Sequence, residues 1–289
     1  MSLTNPKHSD RKKISEIKNL PVLPKVMQQL LELKNNDNAG AQQLSDIISN
    51  DPVMAAHFLK ASNSAFFANA KEITSLTSAI HRIGYTIALN MAIAASANRS
   101  FNIPKEGPIG MRSLWTHAVY SATLMQLIAI KIPNQDVSSD TAFLSGLLQN
   151  IGFVVLGDQF CEEFNLINNN IKNSKKSLLE LEEIYLGISH TELGVLLMRS
   201  WGLPKEIIIS IFEHHNEKYK GNFWEYSNLA YIANFLLSEL ILSDINNTQV
   251  PDALLDALGL NEELLSTSLN EFTDQKEKLD DMIANLFSA

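Results

Sequence analysis

Apolar residues recur at helical spacing along most of the chain. Val26, Leu30 and Leu33 fit one face of a helix that starts at Pro24 and stops at the polar run Asn35-Asn-Asp-Asn38. Leu44, Ile47 and Ile48 form the face of a second, ending near Asn50. Asp51-Pro52 is a strong start signal, a capping carboxylate followed by proline at the first helical position, where no N–H is needed. Met54, Phe58 and Ala61 carry that helix to a break at Asn63-Ser64, and Ser75 caps the next, which runs through Ile80 and Ile83 to Gly84. Residues 85–97 are apolar nearly all round, which predicts a helix buried among other helices.

Residues 102–110 hold Pro104, Gly107, Pro108 and Gly110, the clearest linker in the chain. Beyond it the pattern predicts a long helix over residues 111–130, a loop over 133–139, and a helix from Thr141 into the apolar run 144–156. Two amides, Gln149 and Asn150, interrupt that run, and buried amides need compensating partners. Gly152 marks a bend or a close contact. Ser177 with Glu180 and Ser189 with Glu192 each match a capping box, so two helices begin there. The second ends at Trp201-Gly202; Pro204 opens the next, with Ile207, Ile208 and Ile211. Residues 223–242 predict a further apolar helix bearing Asn234, and 250–289 two or three short acidic amphipathic helices. No stretch alternates with period two and no tandem repeat stands out, so the expected fold is all-α, without significant β-sheet.

The chain has 289 residues with 45% hydrophobic content, enough for a sizeable core and unlike a disordered sequence. A net charge of -9 argues against a nucleic-acid backbone as main partner, because that binding depends on clustered Lys and Arg. Cys161 is the sole cysteine, which excludes an intrachain disulfide and suits a cytoplasmic setting. Residues 1–13 are polar and do not form a signal peptide. The apolar stretch 83–97 is taken as the longest and falls short of the roughly 20 residues of a spanning helix, so no membrane partner is expected.

Of seven histidines, His8, His57 and His81 read as surface or helix-end residues. His117, His190, His214 and His215 fall on second-half helices expected to pack around the 144–156 run. Taken singly, each reads as a hydrogen-bonded structural histidine. Together with the amide pair and Asn234, they follow the order of an HD-type metal phosphohydrolase site. No nucleophile elbow or Gly-rich phosphate loop occurs. The aromatic pairs Phe66-Phe67 and Phe223-Trp224 read as packing near helix ends, or as a partner surface if exposed.

Leu20-Pro-Val-Leu-Pro24, Asp51-Pro-Val-Met-Ala-Ala-His-Phe-Leu-Lys-Ala-Ser-Asn-Ser-Ala-Phe-Phe67 and Ile73-Thr-Ser-Leu-Thr-Ser-Ala-Ile-His-Arg-Ile-Gly84 resemble the HDOD domain, the HD-related output domain of bacterial signalling proteins. Leu114-Trp-Thr-His-Ala118, Gly146-Leu-Leu-Gln-Asn-Ile-Gly152, Trp201-Gly-Leu-Pro204 and Glu213-His-His215 continue the likeness. The resemblance implies a domain over 18–215, with an N-terminal helical lobe at 18–101 and an HD-like lobe at 110–215. Residues 216–289 would extend and complete the second lobe.

The HD and HD-GYP enzymes related to this family hold divalent metals with His, His-Asp and Asp ligands. Carried over, the first histidine is His117, the His-Asp pair becomes Gln149 and Asn150, and the lysine that follows becomes Phe153. His190 and His214-His215 match the later histidines, Asn234 the last aspartate, and no Gly-Tyr-Pro element follows His215. Two carboxylates replaced by amides remove two charges from a site that must neutralise a dication. The expectation is therefore a catalytically silent regulatory domain, without cofactor, working through signalling-protein partners or a second copy of itself in a bacterial cytoplasm. Two alternatives stay open. One is a metal-dependent phosphohydrolase of nucleotides or cyclic dinucleotides, with any metal on His117, His190, His214 and His215. The other is a small-ligand sensor.

Overall fold

A computed structural model describes residues 20, 23–36, 38–63, 73–98, 103–104, 107–133, 137–244 and 249–287. His8, Phe66-Phe67, Pro21-Val22 and part of the 102–110 linker lie outside the described residues. Among the described residues there are fifteen α-helices and no strand, so the fold is all-α.

The first five helices form one group. α1 (Lys25–Lys34) buries Met27, Leu30 and Leu33, and α2 (Ala41–Ser49) buries Leu44 and Ile48. α3 (Pro52–Ser62) begins where the Asp51 carboxylate accepts from the Val53 and Met54 N–H groups at 3.1 and 3.0 Å. Ser75 caps α4 (Leu76–Ile83) through the Ser78 N–H, and Gly84 at φ +95° ends it, a backbone conformation that disfavours side chains. α5 (Tyr85–Asn98) follows and packs on α1 and on the second half.

The second half is arranged around α6 (Met111–Ala129), buried along most of its length. α7 (Ser139–Leu148) and α13 (Trp224–Leu236) pack against it. Between these in sequence come α8 (Gly152–Gln159), α9 (Cys161–Asn170), α10 (Leu178–Tyr185), α11 (His190–Ser200) and α12 (Lys205–Glu213). Both predicted capping boxes are present, Ser177 with Glu180 on α10 and Ser189 with Glu192 on α11. α14 (Asp252–Leu258) and α15 (Glu262–Phe287) complete the chain.

Four expectations need correction. The helix expected to run from Thr141 into the 144–156 stretch is broken just before Gly152, the glycine expected to mark a bend or close contact. Hydrogen bonds from Ile151 N to Leu148 O, Phe153 N to Asn150 O and Val154 N to Ile151 O close i to i−3 rings, so a tight turn separates α7 from α8. The helix expected over 223–242 ends at Leu236, and a 3-10 turn (Ile241–Ser243) follows. The C-terminal segment is one short helix and one of 26 residues, α15, because no Gly or Pro interrupts 262–287 and Leu265, Phe272, Leu279 and Ile283 line one face. Finally, the longest apolar run is Ser139–Gln159, not 83–97. Taken together α7 and α8 have the length and composition to cross a membrane, yet 89% of their most apolar 18-residue window is buried inside the protein, as in the core of a globular fold.

α15 lies along α6 and reaches α3, bridging the two halves. Tyr120 on α6 hydrogen-bonds Asp280 and meets Phe272 edge-on at 5.1 Å, while Lys131 pairs with Glu271 at 2.7 Å. Buried apolar residues from Met27 in α1 to Ile283 in α15 form one contiguous cluster.

Candidate functional site

Close helix approach builds the site. A Cβ on Gly146 of α7 would lie 2.7 Å from the Ala122 backbone of α6, so only glycine lets these helices come so near. That contact delivers the end of α7, with Gln149 and Asn150, beside His117. A Cβ on Gly152 would lie 1.7 Å from the His190 carbonyl oxygen, which sets the start of α8 hard against the start of α11.

Two polar groupings result. In the first, Asn150 Nδ2 lies 3.0 Å and Ser121 Oγ 3.3 Å from His117 Nδ1, while His117 Nε2 is 3.2 Å from Ser243 Oγ. The Asn150 amide donates, so Nδ1 accepts and the ring proton sits on Nε2, from which it is given to Ser243. Ser243 in turn donates to the Leu237 carbonyl at 2.6 Å. Beside this chain Gln149 Nε2 donates to Asn234 Oδ1 at 3.2 Å. Gln149 Oε1, Asn150 Oδ1 and Asn234 Nδ2 are buried with no protein partner among the described residues. Burial pushes the His117 imidazole down to about 3, with the neighbouring His190 adding to the effect.

The second grouping centres on His190, the first residue of α11. Its backbone N–H donates to Glu182 of α10 at 3.0 Å, and its Nδ1 lies 2.8 Å from the same carboxyl group. Both partners are fully buried. Burial pushes Glu182 well above the usual carboxylate range and His190 down to about 3, so the pair shuns charge. Phe153 stacks on the His190 ring at 4.2 Å. His190 Nε2 faces His214 Nε2 at 3.4 Å and His215 Nε2 at 3.3 Å, both at the end of α12. His214 Nδ1 donates to the Ile211 carbonyl at 2.8 Å, so a neutral His214 turns a bare Nε2 lone pair inward. Burial and the adjacent imidazoles push His214 and His215 well below the ordinary histidine range. Asp244 accepts from the Leu178 and Leu179 N–H groups, anchoring the start of α10 near this cluster.

Of the sequence-selected residues, His190, His214 and His215 thus come together, with ligand atoms all within 4.8 Å of one another. His117 joins Asn150, and Gln149 joins Asn234. Sequence reasoning missed Glu182 and Ser243. Glu182 had a readable signal, since it stands four residues after Leu178 on the apolar face of α10. Ser243 had none, because it comes from a loop distant in sequence.

The donor sets differ in what they suit. Tetrahedral Zn–N bonds of about 2.0–2.1 Å place ligand nitrogens about 3.3 Å apart, close to the observed spacings around His190 Nε2. Glu182 and the Ile211 carbonyl are outer partners of the kind metal-binding imidazoles take, for His190 and His214, while the Nδ1 of His215 is buried without a partner among the described residues. The residues therefore fit one nitrogen-bound ion. Around His117 the set is uncharged, and both ring nitrogens are engaged, so it does not fit a carboxylate-bridged metal pair.

This all-helical arrangement, with its imidazoles and amides gathered where α6, α7, α11 and α12 meet, is that of an HD-related domain. The chain belongs to the HDOD domain family, whose sequence profile matches residues 20–217. Its structure is similar to that of a candidate signal transduction protein from Marinobacter aquaeolei VT8, at 27% identity and TM-score 0.86, covering 99% of this chain and 67% of the other. It shares its fold with a candidate phosphohydrolase from Shewanella amazonensis SB2B, at 19% identity and TM-score 0.72, covering 95% and 97%. An uncharacterized protein of Treponema pallidum (strain Nichols) is 27% identical over 206 residues, which are 68% of this chain and 39% of that relative. The chain thus spans about two fifths of that relative's length.

Proposed function

We propose that this domain regulates bacterial signalling through protein contacts and does not hydrolyse phosphoesters. The observation that carries the reading is the Asn150–His117 hydrogen bond, in which an uncharged amide donates to an imidazole nitrogen inside the protein. In an HD-type centre the water is activated by a pair of divalent ions that lower its pKa from 15.7 towards about 7, and holding two such ions side by side draws on carboxylate ligands. Amides at positions 149, 150 and 234 supply no charge. Partners are signalling proteins or a second copy of the chain. Purified protein is expected to show no turnover of phosphodiester model substrates or cyclic dinucleotides with added Mn, Mg, Ni or Zn. Turnover that disappears in His117→Ala would overturn the proposal.

The Nε2 spacing around His190 favours a second, compatible reading. His190, His214 and His215 would hold a single borderline ion such as zinc, joining α11 to α12 as a clasp. Elemental analysis is expected to find one zinc per chain, lost in His190→Ala. Protein exposed to micromolar zinc and then desalted that retains none would sink this second reading and leave the first intact.

A further inference from the structure

A separate cavity of about 550 Å³ opens beyond the histidines, between the loop that follows α12, the helix α13 and the start of α14. Lys218, Tyr219, Lys220, Trp224, Asn228 and Leu254 line it. Its size falls in the range of small-molecule sites, roughly 300–1,000 Å³.

The wall is already organised. Asn216 Oδ1 accepts from the Lys218 N–H at 3.2 Å, the Tyr219 hydroxyl donates to the Asn222 carbonyl at 3.1 Å, and the Tyr231 hydroxyl donates to Glu217 at 2.9 Å. Asn228 is only 2% exposed, and its Oδ1 has no hydrogen-bond partner among the described residues. A buried carboxamide left short of a partner beside a cavity is costly unless a ligand completes it. Tyr219 and Trp224 offer aromatic surface to a planar ring. Lys218 and Lys220, both exposed, place two cations at this cavity on a chain of net charge -9. Glu217 also lines it, its carboxylate accepting from Tyr231, so two lysines face one carboxylate at this cavity.

We propose that this cavity binds a nucleotide, its base against Trp224 and Tyr219 and in hydrogen-bonding reach of Asn228, its phosphate at Lys218 and Lys220. The ring meets the aromatic surface, its polar edge satisfies the carboxamide, and the anion finds the lysines. The site uses none of the residues on which the non-hydrolytic reading rests, so either can fail without the other. The loop that walls it begins directly after His215, which links a bound ligand to the end of α12.

Tryptophan fluorescence tests the assignment on the full chain. Trp115 and Trp201 are 5% and 4% exposed, whereas Trp224 is only half-buried and lines the cavity, so a quench reports this site. Titration with AMP, GMP, CMP and UMP is expected to give saturable quenching by at least one of them below about 1 mM. Inorganic phosphate and the matching nucleoside should bind at least tenfold more weakly. Trp224→Phe should abolish the quench while calorimetry still detects binding. Lys218→Glu with Lys220→Glu, at exposed positions that folding tolerates, should weaken binding at least tenfold, as should Asn228→Ala. Absence of saturation with all four mononucleotides, equal competition by phosphate alone, or unchanged affinity in the double lysine variant would each overturn the proposal.

Discussion

At the scale of single residues, Asn150 decides the state of His117. Because the amide donates to Nδ1, the ring is held neutral with its proton on Nε2, handed on to Ser243. Gln149 and Asn234 form one hydrogen bond but leave two other polar atoms buried and unpaired. Replacing both by leucine removes an imperfect pair together with its orphans, and is expected to leave stability unchanged or raise it by ~1–2 kcal/mol in urea unfolding. Gln149→Leu alone strands Asn234 and should cost ~1–3 kcal/mol. The imidazoles dictate a pH response. His117 and His190 are pushed to about 3, and His214 and His215 well down, so below the unfolded value of about 6.5 the unfolded chain takes up four protons that the native state refuses. Glu182, pushed up, works the other way, holding a proton in the native state that the unfolded chain releases above its ordinary value near 4.5. More groups take up protons on unfolding than release them between about pH 6.5 and 4.5, so stability is lost as pH falls through that window, while on the alkaline side Glu182 alone acts and lowers stability as pH rises through its raised value. Urea midpoints measured at pH 7, 6 and 5 should fall steeply; equal midpoints would contradict four neutral histidines.

Among the elements, caps and faces were readable because each rests on a local rule. Asp51-Pro52, Ser75 and the boxes at Ser177 and Ser189 all cap the helices they announced. The turn between α7 and α8 was hidden because Leu148, Ile151 and Phe153 keep the apolar pattern through it. The break coincides with a tertiary contact, Gly152 against the His190 carbonyl, which the sequence signalled as a bend or close contact at that glycine without naming what it meets. In the site, the order of His117, His190, His214 and His215 was visible. Their division into two groups was not, since it depends on which helix ends meet. Gly152→Ala drives a methyl into backbone and is expected to cost at least ~3 kcal/mol, or to prevent folding. Gly187→Ala, at φ +72° with no atom within 4 Å of the added carbon, should cost only ~1 kcal/mol of backbone strain. Thermal unfolding of the two variants measures the contrast.

For the whole molecule, α15 is the tie between halves. It covers apolar surface on α6 and α3, burying Leu265, Phe272, Leu279 and Ile283. A chain ending at Leu260 should expose that surface and run as aggregate in gel filtration, whereas Phe272→Ala should keep a monodisperse fold and lose ~3–4 kcal/mol. Unimpaired folding of the shortened chain would show that α15 is dispensable. The Gly152 contact has a mechanical meaning as well. Since backbone touches backbone there, α8 and α11 have no room to slide, and the His190 side of the imidazole cluster is an anvil. His214 and His215 belong to the opposite side, carried on α12 and followed by a loop that owes its shape to a few hydrogen bonds of Asn216, Tyr219 and Tyr231. On the proposed regulatory reading, a displacement of that loop would reach His214 and His215 first and would work against the close α8–α11 contact.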